Sequence, residues 1–267
     1  MGESGSSRLT REFNGYWNGR AQSYSNGVVG ELSDTRKDAW KADLQAATDD
    51  VLAQALSEGR TPRACDLGCG PGFFSIVLTE IGFQVDGVDA SESMLAHARE
   101  NIAEALPDAI VDLHASNVIS LPFPDGTFDL CACRNITWLM QDPHGAYAEW
   151  LRVLRPGGKL LVYDANWYRY LVDEEVAAAR AADQKDRVLE GWNENAQATS
   201  DEEKRCEELA RDLPLTPVLR PAWDLETLKE LGVANCRADE DAWLRVWPES
   251  EQLYYGSTPM FMIEAVK

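Results

Sequence analysis

The sequence predicts an α/β protein: a doubly wound, mostly parallel sheet of about seven strands with helices on both faces. Three observations carry that expectation. Between residues 63 and 166, short apolar strand-like runs alternate with stretches of helical period. A glycine-rich loop, "DLGCGPG" at 66–72, directly follows the first of those strands. Asp89 closes the second strand about 20 residues after the loop opens, where nucleoside sites place an acid.

Residues 8–58 read as helical, with the aromatic, amphipathic "RLTREFNGYWNGRAQSYSN" divided from "DTRKDAWKADLQAATDDVLAQAL" by a break at "NGVVGELS". Strands then follow at "RACDL", "FQVDGVD", "AIVDLHAS", "FDLCACR" and "KLLVYDAN", the last entered through a sharp "PGG" turn. The intervening helices are "FFSIVLTEI", "SESMLAHARENIAEAL" and "DPHGAYAEWLRVL". From 167 to 216 the pattern becomes charged and helical, in "DEEVAAARAADQKDRVLEGW" and "SDEEKRCEELARDL". We read this as a helical cap inserted into the core, against the alternative of a solvated appendage. The chain closes with the helix "WDLETLKELG", N-capped by Asp224, and strands near "AWLRVW" and "TPMFMIEAV". The whole is expected to be one domain: a core at 36–166 and 217–267, an N-terminal helical lid at 8–35 and the cap.

The bulk properties narrow the partners. A net charge of -20 over 267 residues argues against nucleic acid or an anionic membrane, and suits a neutral or cationic small molecule. No run is apolar enough for a membrane span or signal peptide, which points to the cytoplasm. "MGESGS" fits a myristoylation pattern, although a disordered start explains it more simply. The six cysteines include no C-x-x-C pair, as expected of reduced thiols and not of a disulfide framework or metal site. Cys131 and Cys133 alternate onto one strand face, which suggests packing. Oligomeric state is not legible.

Asp66 and the glycines decide what the loop holds. A dinucleotide fingerprint wants glycine where the chain has Phe73, and the G-K-[ST] ending of a phosphate loop is absent. A carboxylate beside the loop repels phosphate but suits a cationic ligand. S-adenosylmethionine has a sulfonium, an ammonium and no phosphate; glycines admit it closely, and Asp89 can accept both ribose hydroxyls.

On these residues the chain resembles the class I S-adenosylmethionine-dependent methyltransferases, in the small-molecule branch that includes the ubiquinone/menaquinone-type enzymes. "DLGCGPG", "GVDASESML", "LPFPDGTFDLCACRNITW" and "EWLRVLRPGGKLLVYD" carry the resemblance, over about residues 60–165. It implies a Rossmann-like sheet whose last strand is antiparallel. It also implies that Gly68, Cys69 and Gly70 line the methionine end of the cofactor, with Asp66 supplying negative potential. Asp89 would bind the ribose, with Ala90 and Met94 near the adenine. Asn117, beside Val118, stands where the family commonly has an aspartate that accepts from the adenine amino group. Arg134 and Asn135 follow the fourth strand, where family residues reach the methionine moiety and the acceptor. The weaker match "YWNGRAQSY" would place Tyr16, Trp17, Arg20 and Tyr24 over the cofactor, with Arg20 a candidate partner for its carboxylate.

Methyl transfer is an in-line displacement that needs mainly alignment and a dry site, so a general base is optional. The candidates for one are Asp164, at the end of the fifth strand, and His144 in "DPHGAY"; Arg134 is a further catalytic candidate. His97 and His114 read as structural. "WYRY" at 167–170 suits an acceptor-pocket floor or a cation box, or simply packing between core and cap. The expected reaction moves a methyl group to O, N, S or C of a small molecule and releases S-adenosylhomocysteine. The rivals are a non-catalytic S-adenosylmethionine-binding module and, less favoured, an NAD-dependent oxidoreductase.

Overall fold

The computed structural model describes residues 5–185 and 197–267. The "MGESGS" reading and the middle of the cap fall wholly or partly outside them. Strands β1 (Arg63–Leu67), β2 (Gln84–Asp89), β3 (Val111–Ala115), β4 (Phe128–Arg134), β5 (Leu154–Asp164), β6 (Asn235–Asp239) and β7 (Phe261–Val266) form one sheet in the order β3-β2-β1-β4-β5-β7-β6. The first five strands pair in parallel, whereas β7 runs antiparallel to both β5 and β6. The chain moves outward from β1 to β3 and then crosses back to β4. A crevice therefore opens beyond the carboxyl ends of β1 and β4, where such sheets bind ligands.

Alternation along the strands builds two cores. Leu130 and Ala132 face a layer with Trp40 and Leu44 of α2 (Thr35–Ser57) and Phe73 and Phe74 of α3 (Phe73–Ile81). Cys131 and Cys133 face the opposite layer, with Tyr147 and Trp150 of α5 (Pro143–Val153) and Leu228 of α8 (Ala222–Glu230). The two cysteines are thus packing residues, and all six cysteines of the chain are free.

Helix α1 (Gly5–Leu32) lies across the crevice. Asn18 Oδ1 accepts from the hydroxyl of Ser91, which caps α4 (Glu92–Ala105), and Asn101 of α4 donates to Ser25 and to the Pro71 carbonyl. At its other end Gln141 donates to Thr10 at 2.7 Å. The cap contributes α6 (Glu174–Gln184) and α7 (Ser200–Ala210), and Phe13 packs with Trp138, Cys206 and Leu209 to join it to α1.

Four local expectations are corrected. The break at 26–33 falls only at Ser33–Asp34, because α1 continues to Leu32 and Asp34 caps α2. The segment at 242–247 forms α9 (Trp243–Val246), and the edge strand is β6 instead; Trp243 and Trp247 then stack edge to face. The "PGG" stretch lies within β5, where the pairing register with β4 shifts. Asp224 sits inside the first turn of α8, fully buried and paired with Arg220, while Pro221 holds the cap position. A charge partner from outside the helix outweighs a local cap.

Candidate functional site

Every strand that borders the crevice delivers a loop to it. After β1, Gly68 takes φ 68° and Gly70 φ 51°, and a Cβ at Gly68 would lie 2.6 Å from Ile136 Cδ1. Only glycine fits that close approach. Asp89 ties the loop to β2: its Oδ2 accepts from Gly70 N at 2.9 Å and its Oδ1 from Ser91 N at 2.8 Å. The carboxylate keeps acceptor capacity for a ligand hydroxyl. Burial raises the Asp89 pKa, and the Ser91, Gly70 and Ala90 amides counter it.

An open cleft joins these elements. Trp17, Tyr24, Gly68, Gly70, Asp89, Ala90, Met94, Asn117, Val118, Arg134 and Asn135 all line it, so most of the residues expected at the cofactor do come together. Sequence reasoning missed Phe13, Ile136, Leu139 and Met140, which add apolar wall. The periodicity of α1 could have flagged Phe13, but the loop after β4 carries no comparable signal. Among the described residues Arg134 is the one basic side chain of the lining, and Glu31 holds it at 2.7 Å while it stacks 4.4 Å above the Phe73 ring. Apolar walls, a ribose-height carboxylate and no unpaired cation fit a nucleoside without phosphate better than a pyrophosphate.

Other expected residues stand elsewhere. Asp66 lies behind the loop, with Oδ2 accepting from the Ser75 hydroxyl at 2.7 Å, and burial pushes it up to about 7. At neutral pH it is therefore only partly charged. Cys69 is buried, its sulfur against Gly87 and not in the cleft lining. Asn117 spends one oxygen contact on Ile119 N. Tyr16 and Arg20 face a second cavity.

That second cavity lies between α1, α2, the cap and α10 (Glu249–Tyr254). Trp17, Tyr24, Arg134 and Asn135 belong to the lining of both cavities and form their common wall. Trp167, Tyr168 and Tyr170 of the "WYRY" stretch line it, joined by Trp247, Tyr254 and Tyr255. Trp247 went unassigned because 242–247 read as a strand, and Tyr254 and Tyr255 lie in a stretch with no sequence signal for a site. Asn135 at the common wall holds φ 58°, a left-handed conformation that asparagine tolerates.

Neither candidate base reaches a cavity. Asp164 is fully buried and accepts from Trp138 N, Ala165 N, Trp167 Nε1 and Arg220 Nη1. With four donors already in place it is a structural hub. His144 is exposed on the first turn of α5 and lines neither cavity.

Residues 65–162 match the family model described as a methyltransferase domain. That stretch of the chain is similar to a methyltransferase domain. The chain is 36% identical over 121 residues to the malonyl-[acyl-carrier protein] O-methyltransferase of Erwinia pyrifoliae, covering 45% of this chain and 44% of that one. It is 35% identical over 139 residues to the demethylmenaquinone methyltransferase of Shouchella clausii, covering 49% and 51%. The chain thus spans about half the length of the relatives it matches. The phosphoethanolamine N-methyltransferase 2 of Haemonchus contortus, solved with S-adenosylhomocysteine and phosphomonomethylethanolamine, shares the fold at TM-score 0.50 and 19% identity. That alignment covers 77% of this chain and 49% of the other. The matched stretch holds the glycine loop and Asp89; the cap and the whole of α1 lie outside it.

Proposed function

We propose that this protein is an S-adenosylmethionine-dependent methyltransferase that binds its cofactor in the cleft and a small-molecule acceptor in the second cavity. The observation that carries the reading is the common wall. A methyl donor in one cavity and a nucleophile in the other would meet across Trp17, Tyr24, Arg134 and Asn135. We take the chain to act as one domain, with α1 as lid and 167–216 as cap, in the cytoplasm. Among the described residues no helix is long and apolar enough to cross a membrane.

When bound, S-adenosylmethionine supplies a methyl group already activated by its sulfonium. The protein's residues do the rest. Asp89 takes the ribose hydroxyls, and Met94, Val118 and Leu139 give the adenine an apolar slot. Gly68 and Gly70 let the backbone amides come close to the methionine end. Arg134, fixed by Glu31 and the Phe73 ring, holds a positive charge at the common wall. The lid hydrogen bonds at Asn18, Ser25 and Thr10 keep α1 down over the cleft and exclude water. Alignment in a dry site supplies most of the catalysis such a displacement needs. This reading gives Asp164, already held by four donors, and the exposed His144 no part in the transfer.

Calorimetric titration with S-adenosylmethionine, S-adenosylhomocysteine and NAD tests the reading. The first two should bind the wild type, and Asp89→Ala should weaken both by at least about tenfold, the loss of roughly 1.4 kcal/mol of ribose contact. Binding of NAD in preference to both would sink it.

A further inference from the structure

We propose that α1 carries an oxyanion site for the methyl acceptor, formed by Trp17 Nε1 and Arg20 Nε in the second cavity. The acceptor class that follows is an aromatic molecule bearing a carboxylate or an ionised hydroxyl. The inference rests on the reading of that cavity as the acceptor chamber.

Both N–H groups are buried and lack a hydrogen-bond partner among the described residues. They stand three residues apart on one helix and so share a face, and both residues line the second cavity. Arg20 is only 5% exposed. Its Nη1 donates to Ser23 Oγ at 2.9 Å and to the Gln197 carbonyl at 3.0 Å, both neutral acceptors. Its ion pair is with Glu202, a partly exposed side chain, at 3.5 Å.

The neighbouring arginines are held more tightly. Arg134 meets Glu31 at 2.7 Å, and Arg36 meets Asp34 at 2.7 Å and Glu251 at 3.1 Å. Arg20 is thus a buried guanidinium with a longer ion pair than its neighbours and an unmet donor, an arrangement that a ligand oxyanion completes. Guanidinium and indole N–H groups are both donors only, so a ligand ammonium would find no acceptor in them.

Two further features fix the ligand class. The rings of Tyr16, Trp167, Tyr168, Trp247 and Tyr255 line the chamber and favour a planar apolar body. Arg20 is not part of the cleft lining, which separates it from the place where the cofactor's own carboxylate is expected. The overall acidity of the chain suggested a neutral or cationic acceptor. Net charge describes the solvated surface; within the chamber Glu31, Glu251 and Glu207 are engaged by Arg134, Arg36 and the Tyr170 hydroxyl, while Trp17 Nε1 and Arg20 Nε stand unmet.

The test uses 2-naphthoate and 2-naphthylmethylammonium as probes of equal ring size. Each is titrated into the full chain with and without S-adenosylhomocysteine and followed by ligand-observed NMR. Naphthoate should bind at least tenfold more tightly than the ammonium. Arg20→Gln and Trp17→Phe should each weaken naphthoate by tenfold or more, with Arg20→Gln leaving S-adenosylhomocysteine affinity within twofold. If Arg20→Gln does not fold, Trp17→Phe carries the naphthoate-against-ammonium comparison, in the absence of S-adenosylhomocysteine. A preference for the ammonium overturns the proposal. So does an Arg20→Gln variant that loses S-adenosylhomocysteine and keeps naphthoate, since the site would then belong to the cofactor's carboxylate. A chain that binds no S-adenosylhomocysteine defeats the methyltransferase reading alone, because the naphthoate titration without it still decides the oxyanion site.

Discussion

Asp164 and Arg220 form an ion pair at 2.8 Å with side chains 0% and 1% exposed, and Arg220 also grips Asp224 through Nε and Nη2. Tyr147 donates to the same Asp224, and the Phe261 ring lies 5.0 Å from the guanidinium. The network fastens the end of β5 to α8 and α5. Removing the Asp164 charge leaves Arg220 with one partner and Trp138 N with a weaker acceptor. Asp164→Asn should therefore cost about 3 kcal/mol of stability, the lower part of the range for a broken buried pair, because Asp224 still neutralises Arg220. Urea unfolding measures the loss. S-adenosylhomocysteine affinity at a temperature where the variant is folded should stay close to wild type, an outcome opposite to that of a binding residue.

Asp66 makes stability depend on pH. Its folded pKa is raised from an ordinary 3.8 to about 7 by burial, so the native state keeps a proton that the unfolded chain releases. The stabilisation is fully present below about pH 4 and is lost as pH rises to about 7, at roughly 1.4 kcal/mol per unit. Asp66→Asn cannot titrate, and the difference in unfolding free energy between it and wild type should follow that slope. A difference that stays flat over the same pH range would show that Asp66 ionises normally in the folded chain.

Gly68 is constrained twice, by its φ of 68° and by Ile136, whose Cδ1 and Cγ1 would sit 2.6 and 2.7 Å from an added Cβ. Gly68→Ala should cost about 2–4 kcal/mol, combining the overpacking and left-handed strain contributions. Adding Ile136→Ala removes both colliding atoms. The double variant should recover cofactor affinity relative to Gly68→Ala while keeping about 1 kcal/mol of backbone strain. Thermal unfolding and S-adenosylmethionine titration separate the two contributions.

The legibility of the site follows from how local each requirement is. Gly68, Gly70 and Asp89 sit where a strand ends and backbone conformation limits the residue type, so their pattern survives in the sequence. Asp224 looked like a helix cap because capping is a short-range signal; its real partner, Arg220, is fixed by burial against Asp164 of β5. The segment 242–247 has strand-like composition, yet Trp243 and Trp247 are placed by ring packing at helical spacing. Asp164 illustrates the same limit. Its place at a strand end fits a catalytic acid, and only its four donors reveal a hub.

The sequence by itself determined the doubly wound sheet, the crevice and the residues around the glycine loop, since period, turn chemistry and strand ends are local properties. The tertiary structure alone decided that Asp66 stands behind the loop, that Arg20 faces the second cavity, and that α1, the cap and the C-terminal aromatics enclose one chamber. Those outcomes depend on which side chains meet across long stretches of chain. Burial and unmet hydrogen bonds belong to the packed molecule, and no spacing along the chain encodes them.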